Sequence, residues 1–187
     1  MVGYSLWEMQ QEALLHKVAM KFRFLKYKTQ SYLKKNKTLR ASEAYKKALS
    51  IGVIFTVEDR QKHDHIKNLI RKLERDGKRV TALAYLPPHQ ENYEFLFDFF
   101  TYREISFWGN ITATSAIKFA ESSFDFLLYL DTTPNELILN LVAKSKAKCR
   151  IGKFWQEGEP YFEMMVESNG GTKSLIDDLY KYTTAIR

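Results

Sequence analysis

Short apolar runs alternate with stretches of helical periodicity from residue 51 to the end of the chain. Runs of this length suit buried β-strands, and the stretches between them space their apolar residues as amphipathic helices do. The alternation predicts an α/β domain. The predicted strands are 51–57, 79–86, 105–108, 125–130, 149–154 and 161–166. The predicted helices are 61–76, 91–100, 112–121, 134–144 and 172–182.

Two of the helix boundaries have residues that favour them. Asp76 and Gly77 end the first predicted helix of this region, and glycine is common just after a helix C-terminus. Thr133 followed by Pro134 predicts a helix start, with threonine as the N-cap and proline in the first turn.

The strand pattern predicts how the sheet is covered. Residues 124–130 are apolar at almost every position, which is typical of a central parallel strand buried on both faces. Pro87 and Pro88 interrupt the chain after the second predicted strand. We therefore expect one Rossmann-like domain at 51–187, with a mostly parallel sheet.

Residues 1–50 follow a different pattern and predict a basic helical arm. Its lysines recur at offsets of 4, 7 and 7, which places Lys17, Lys21, Lys28 and Lys35 along one side of a helix. A neighbouring apolar stripe consists of Leu14, Val18, Phe22, Leu25 and Tyr32. Such a helix is amphipathic and packs its stripe on the body or on a partner. Because no glycine-rich linker follows the arm, we expect it to pack directly on the domain.

The excess positive charge of the chain lies in this arm. The net charge of the whole sequence is +7. Residues 1–50 have eleven lysines and arginines against three glutamates, a net of +8, and the remaining 18 basic and 19 acidic residues give −1. Between positions 17 and 47 the one acidic residue is Glu43. A local excess of this kind favours docking on a polyanion, because phosphate contacts act locally and add up.

The arm predicts RNA binding, since its basic residues are interleaved with aromatic ones that stack on unpaired bases. A solvated lysine-rich helix and an anionic membrane surface are the alternative interpretations. The predicted nucleic-acid-binding residues are Lys17, Lys21, Arg23, Phe24, Lys26, Tyr27, Lys28, Lys34, Lys35, Lys37 and Arg40.

A second basic cluster precedes and enters the fifth predicted strand. Alternation along an extended chain places Lys146, Lys148 and Arg150 on the same side. These three residues are either an auxiliary phosphate contact or the charged margin of an exposed sheet edge.

The loops after the strands are where an α/β sheet binds small ligands. The loop at 56–60 has no glycine, which excludes a P-loop or dinucleotide fingerprint there. In the loop at 109–115, polar side chains either cap the next helix or hold an anion. Asp131 begins the loop after the fourth predicted strand and suits a general base or a cap for the helix from Pro134. The candidate ligand residues are Asn110, Thr112, Thr114, Ser115 and Asp131.

No cofactor, metal or catalytic constellation is predicted. The spacing of the Ser, His, Asp and Glu residues matches no nucleophile–base or paired-carboxylate arrangement. Cys149 is the single cysteine and is expected in the core. His63 and His65 precede an apolar stripe and are expected in the exposed first turn of a helix.

The apolar runs also bear on location. The longest, at 126–130, is far shorter than the roughly 20 residues that span a bilayer. Residues 1–11 lack the features of a secretion signal. These observations predict a cytoplasmic protein.

Two resemblances add to this interpretation. Residues 124–131 and 143–152 resemble the strand, helix and following strand of heptosyltransferase-type glycosyltransferases. Those enzymes use two Rossmann-like domains, whereas this chain has room for one. The second resemblance is to an uncharacterised family of small Bacteroidota α/β proteins of unknown function. The segments that carry it are the lysine-rich stretch before residue 51, the opening of the first strand at 51–53, and residues 124–131, 145–153 and 161–164. That second resemblance implies a lineage and a fold, and no catalytic residues.

These observations predict a non-enzymatic RNA-binding protein, a lineage-specific ribosomal or ribosome-associated component that docks through its arm. Neighbouring proteins of the same assembly are further expected partners. The alternatives are a degenerate glycosyltransferase-like or sugar-nucleotide-binding domain, and a scaffold or membrane-surface adaptor.

Overall fold

One sheet forms the centre of the molecule. A computed structural model describes the backbone of residues 6–187 and the side chains of residues 11, 12, 15–94 and 96–187. In this part of the chain the strands are β1 (Ser50–Thr56), β2 (Arg79–Tyr85), β3 (Asp98–Phe100), β4 (Phe126–Tyr129), β5 (Cys149–Lys153) and β6 (Met164–Val166).

All neighbouring strands of the sheet run parallel. The spatial order is β3-β2-β1-β4-β5-β6, which is a Rossmann-like arrangement and confirms the predicted fold class. Ile51 of β1 pairs with Val80 on one side and Phe126 on the other. The strand order therefore reverses between β1 and β4, and the carboxyl ends of these two strands meet at the switch point.

Helices cover both faces of the sheet. Their bounds are α1 (Leu6–Lys35), α2 (Arg60–Arg75), α3 (Thr114–Glu121), α4 (Glu136–Lys144) and α5 (Thr172–Thr184). The apolar residues of α2 and α5 share one core with the sheet, and those of α3 and α4 share the other. Helix α1 packs on α4, so it forms an additional layer on that second face.

Helix α1 is attached to the body along its C-terminal half. Leu25 is fully buried, and Thr29 is linked to α4 because the Asn140 amide donates to its hydroxyl at 2.8 Å. At the end of the helix, the Asn36 amide donates to the carbonyls of Ala143 and Ser145, both at 2.9 Å. The helix thus runs from the carboxyl edge of the sheet toward the amino edge.

The predicted apolar stripe of α1 faces the body only in part. Leu25 is buried, and Phe22 and Tyr32 are half-buried, as predicted. Val18 is exposed, and residues 15–19 are all exposed, so this part of the helix projects beyond the body. The side chain of Leu14, the first member of the stripe, lies outside the described residues.

The carboxylate of Asp125 links neighbouring segments at the amino edge of the sheet. Asp125 accepts from the Leu49 N–H at 2.8 Å, the Ser50 N–H at 3.0 Å and the Lys148 Nζ at 2.8 Å. Burial alone would raise the pKa of this carboxyl, but the bonds to Lys148, Leu49 and Ser50 together lower the pKa to about 2. Asp125 therefore stays ionised and holds the segment before β1 against β4 and β5.

Two predictions for residues 91–108 are wrong. The predicted helix 91–100 is a short 3₁₀ turn (Tyr93–Phe95) followed by β3. Glu94 adopts a φ of 58°, which breaks a helix, and β3 gains a ladder with β2. The predicted strand 105–108 is a loop in which Ile105 forms a single bridge with Ile111.

The end predicted for α2 is confirmed, and the start predicted for α4 is wrong. Helix α2 ends at Arg75, and Gly77 follows with a φ of +79°, as expected for a residue after a helix. Helix α4 begins at Glu136, and its N-cap is Asn135 instead of Thr133. The Asn135 carboxamide accepts from the backbone N–H groups of Leu137 and Ile138, which explains the later start.

Candidate nucleic-acid interface

An exposed aromatic cluster lies where α1 leaves the body. Phe24 of α1 contacts Phe107 and Trp108, with ring centroids 6.0 and 5.3 Å away. Phe107 and Trp108 contact each other at 5.3 Å in an edge-on arrangement. Trp108 is 60% exposed and Tyr27, one turn further along α1, is 75% exposed. Large aromatic surfaces left in water at one place are typical of binding sites.

A tight turn presents Phe107 and Trp108 at its tip. The Gly109 N–H donates to the Ser106 carbonyl at 3.0 Å, and the Ser106 N–H donates to the Asn110 carbonyl at 2.8 Å. Sequence reasoning missed these two aromatics because their apolar character suggested a buried strand. The signal that could have found them is the glycine and asparagine that follow, which favour a turn.

Glycine at position 109 is what allows this turn to rest on α1. Its φ is +71°, and a β-carbon there would lie 2.6 Å from the Phe24 carbonyl carbon and 2.8 Å from the Leu25 α-carbon. Only a residue without a side chain can place its backbone so close to a helix. The turn at 106–110 and helix α1 therefore form one surface.

This surface borders a shallow, open cavity of about 710 Å³. Arg23 and Lys28 line it next to the aromatic rings, and Asn110 lines it from the turn. We call the cavity the arm cleft; its lining residues are Met20, Arg23, Phe24, Tyr27, Lys28, Trp108 and Asn110. The structure thus brings together four of the predicted nucleic-acid-binding residues and one predicted ligand residue.

The other predicted basic residues of the arm lie in different surroundings. Lys17 is exposed on the projecting part of α1, with Lys21 half-buried after it. Lys34, Lys35 and Lys37 are exposed near the opposite end of the helix. Lys34 lies six residues after Lys28, the last residue of α1 that lines the arm cleft, so about 9 Å of helix separates this second group from the cleft.

Two predicted basic residues of the arm are engaged by carboxylates of the body. The Lys26 ammonium lies 2.7 Å from Glu136, whose hydrogen bond and charge raise the pKa of the lysine. Arg40 donates to the carbonyls of Ala147 and Ser145 and lies 3.7 Å from Glu163. Burial and the charge of the nearby Arg150 lower the pKa of Arg40. Its bonds to the Ala147 and Ser145 carbonyls anchor the end of the arm on the body.

The auxiliary basic cluster is dispersed by the fold. Strand β5 lies between β4 and β6, so the interpretation of these residues as the charged margin of a sheet edge is wrong. Arg150 is buried and binds Glu163 through two nitrogens, at 2.7 and 3.0 Å. Lys148 binds Asp125 at 2.8 Å, and Lys146 is exposed before the strand.

Two of the polar residues at 110–115, Thr112 and Ser115, bind neighbouring backbone instead of capping α3. The Thr112 and Ser115 hydroxyls donate to the carbonyls of Glu104 and Phe99, at 3.0 and 3.2 Å. The N-cap of α3 is Ala113, which has no side-chain cap bond, and Thr114 is the exposed first residue of the helix. The predicted cap is therefore wrong, because these hydroxyls satisfy the preceding loop.

The ligand position of the Rossmann-like sheet is filled by side chains. Between the carboxyl ends of β1 and β4, the Lys62 ammonium lies 2.7 Å from Asp131, with side chains that are 2% and 1% exposed. Lys62 also binds Glu58 at 2.6 Å. Asp131 further accepts from the Thr56 N–H at 2.8 Å and the Thr56 hydroxyl at 2.6 Å.

This arrangement corrects the prediction for Asp131. The carboxylate does not cap α4; it neutralises a lysine that α2 inserts into the switch point. Sequence reasoning missed Lys62 because a lysine in a charged helical stretch is usually solvated. Glu58, which precedes α2 and lies four residues before Lys62, was the available signal, since a carboxylate there can pair with a lysine in the first turn of the helix.

His63 and Cys149 are both buried. His63 is buried against Tyr93 and Phe97 rather than exposed as predicted, and burial lowers the pKa of its imidazole. Among the residues described, no three His, Cys, Asp or Glu side chains are placed to share a metal ion. Cys149 is fully buried, as expected.

Comparisons with known proteins give a family without an assigned activity. A model described as a family of unknown function, DUF6913, matches residues 21–186. No curated protein matches the chain. None of the helices in the described part of the chain is long and apolar enough to cross a membrane.

Proposed function

The chain belongs to DUF6913, a family of unknown function, and we propose that it is a non-enzymatic protein that binds single-stranded RNA through α1 and the turn at 106–110. The observation that supports this proposal is the arm cleft. Exposed aromatic rings and cationic side chains converge there on one surface. Such a combination suits a strand with stacked, unpaired bases and a charged backbone.

The charge of the arm supports a polyanionic partner. Lys17, Lys21 and Arg23 precede Lys28 on α1, and Glu43 is the one acidic residue between positions 17 and 47. A helix that is only solvated usually has charges of both signs, whereas the charges at 17–47 are all positive except that of Glu43. Phosphates running along α1 would meet several cations in succession, each of which adds to the affinity.

The aromatic residues favour an unpaired strand over a duplex. Tyr27 and Trp108 are largely exposed and line the arm cleft together with Arg23 and Lys28. In an RNA duplex the bases are stacked on one another, so these rings would find no partner. Unpaired bases stack on aromatic side chains for about 1–3 kcal/mol each.

The finer proposal is that the RNA is ribosomal. The net charge of +8 in residues 1–50, which include helix α1, suits a dense and extended phosphate surface. Co-sedimentation with ribosomes in a sucrose gradient at low salt, for the full chain and for the charge variant described next, tests this partner directly.

Removing two cations of the arm cleft is expected to weaken RNA binding by roughly tenfold. Each lost contact with single-stranded phosphate costs about fourfold in affinity near 0.15 M salt. The variant is Arg23→Gln with Lys28→Gln. The matched control is Arg79→Gln with Lys181→Gln, which removes the same charge from exposed positions of the body. Fluorescence anisotropy with a short mixed-sequence RNA measures both.

Two outcomes would overturn the proposal. Equal losses in the variant and its control would mean that only net charge matters. Binding of the wild-type protein to phosphatidylserine vesicles, with no affinity for RNA, would instead favour a membrane surface. Leu15 and Val18, both exposed on the projecting part of α1, would then be the contact.

A further inference from the structure

We infer that the arm cleft holds one unpaired nucleobase and that Asn110 reads the edge of that base. The inference deepens the proposed function and rests on it, because it assumes that the ligand is RNA. It assigns base selectivity to one residue, whereas the cations of α1 supply affinity without selectivity.

The cleft has the shape and lining that a base requires. Its volume of about 710 Å³ lies within the range of small-ligand sites. Tyr27 and Trp108 supply ring faces for stacking, and Phe24 lies beside Trp108 with ring centroids 5.3 Å apart. Arg23 and Lys28 line the same cleft, so a phosphate next to the stacked base would meet a cation.

The backbone of Asn110 is held by Ser106, and the residue lines the arm cleft. Its backbone N–H donates to the Ser106 hydroxyl at 3.1 Å, and its carbonyl accepts from the Ser106 N–H at 2.8 Å. The hydrogen bonds of Asn110 within the described residues run through its backbone, so its carboxamide is available to a ligand in the cleft that the residue lines. Because Gly109 rests on α1, the backbone of Asn110 is fixed relative to that helix.

A carboxamide is suited to this task because it offers a donor and an acceptor side by side. It matches a base edge with the complementary pair, as adenine presents with its amino group and a ring nitrogen. Lysine and arginine have donors only and cannot read such an edge in this way. Discrimination between adenine and the two pyrimidines should therefore depend on Asn110 and not on Arg23 or Lys28.

The test compares oligoadenylate, oligouridylate and oligocytidylate for the full chain and two variants. The wild-type protein is expected to favour one of them by at least roughly fivefold, the lower end for one bidentate contact. Asn110→Ala should bring the three affinities to within about twofold. Tyr27→Leu, which removes a stacking ring at an exposed position, should lower all three affinities and keep their ranking.

The failures of the two proposals are distinguishable. If the wild-type protein binds all three oligonucleotides but Asn110→Ala preserves their ranking, Asn110 does not read the base and the RNA-binding proposal stands. If the wild-type protein binds them equally, the cleft has no selectivity and the inference fails. If none of them binds, both proposals fail. Unchanged thermal unfolding of Asn110→Ala would show that the variant is folded.

Discussion

Replacing Gly109 with alanine is expected to lower the free energy of unfolding by roughly 3 kcal/mol and to weaken RNA binding. The new β-carbon would lie 2.6 Å from the Phe24 carbonyl carbon, and a φ of +71° is strained for any residue with a side chain. Backbone cannot move aside as a flexible side chain does, so the turn at 106–110 would separate from α1. Denaturant unfolding measures the loss.

Gly77→Ala is the matched control for this variant. Gly77 has a similar φ of +79°, but no heavy atom lies within 4 Å of the position of its β-carbon. It should therefore show only the cost of the left-handed backbone, about 1 kcal/mol. Equal costs at the two positions would mean that contact with α1 contributes nothing, and that the turn is not fixed by the helix.

Asp131→Asn is expected to destabilise the protein by roughly 3 kcal/mol, because it leaves the buried ammonium of Lys62 without its fully buried partner. Glu58 would still lie 2.6 Å from Lys62, but this carboxylate is 40% exposed and better solvated. Adding Lys62→Met to the variant removes the uncompensated charge and should recover part of the loss. Thermal and denaturant unfolding of the single and double variants measure both effects.

The Lys173–Asp177 pair is the matched control for a surface ion pair. Its side chains are 69% and 61% exposed, so Asp177→Asn should change stability by less than about 0.5 kcal/mol. If Asp131→Asn were no more costly than Asp177→Asn, or were stabilising, Asp131 would be a residue kept for function rather than for structure. That result would revive a ligand site at the switch point.

The sheet could be predicted from the sequence where its strands are buried on both faces. The run containing β4 is apolar on successive residues, and only a central parallel strand needs this. Segments with a mixed pattern were predicted less well. The aromatic residues at 93–100 fit a helix as well as a strand. Residues 98–100 form β3 because they pair with Leu83, Ala84 and Tyr85 of β2.

The candidate site shows the same division between local and tertiary information. The charge and spacing of α1 identified Arg23, Phe24, Tyr27 and Lys28, because helical periodicity places residues four apart on one side. The place of Trp108 in the arm cleft could not be predicted. It depends on the packing of Gly109 on α1, and these two segments are far apart in the sequence. Nor could the sequence predict that Glu163 forms ion pairs with both Arg40 and Arg150, which come from separate segments.

The most direct test of RNA binding by the arm is the salt dependence of the affinity of the full chain for a short single-stranded RNA. With about six phosphates neutralised, the logarithm of the association constant should fall against the logarithm of salt concentration with a slope of about −4. A slope near zero, or no binding at about 50 mM salt, would contradict the proposal.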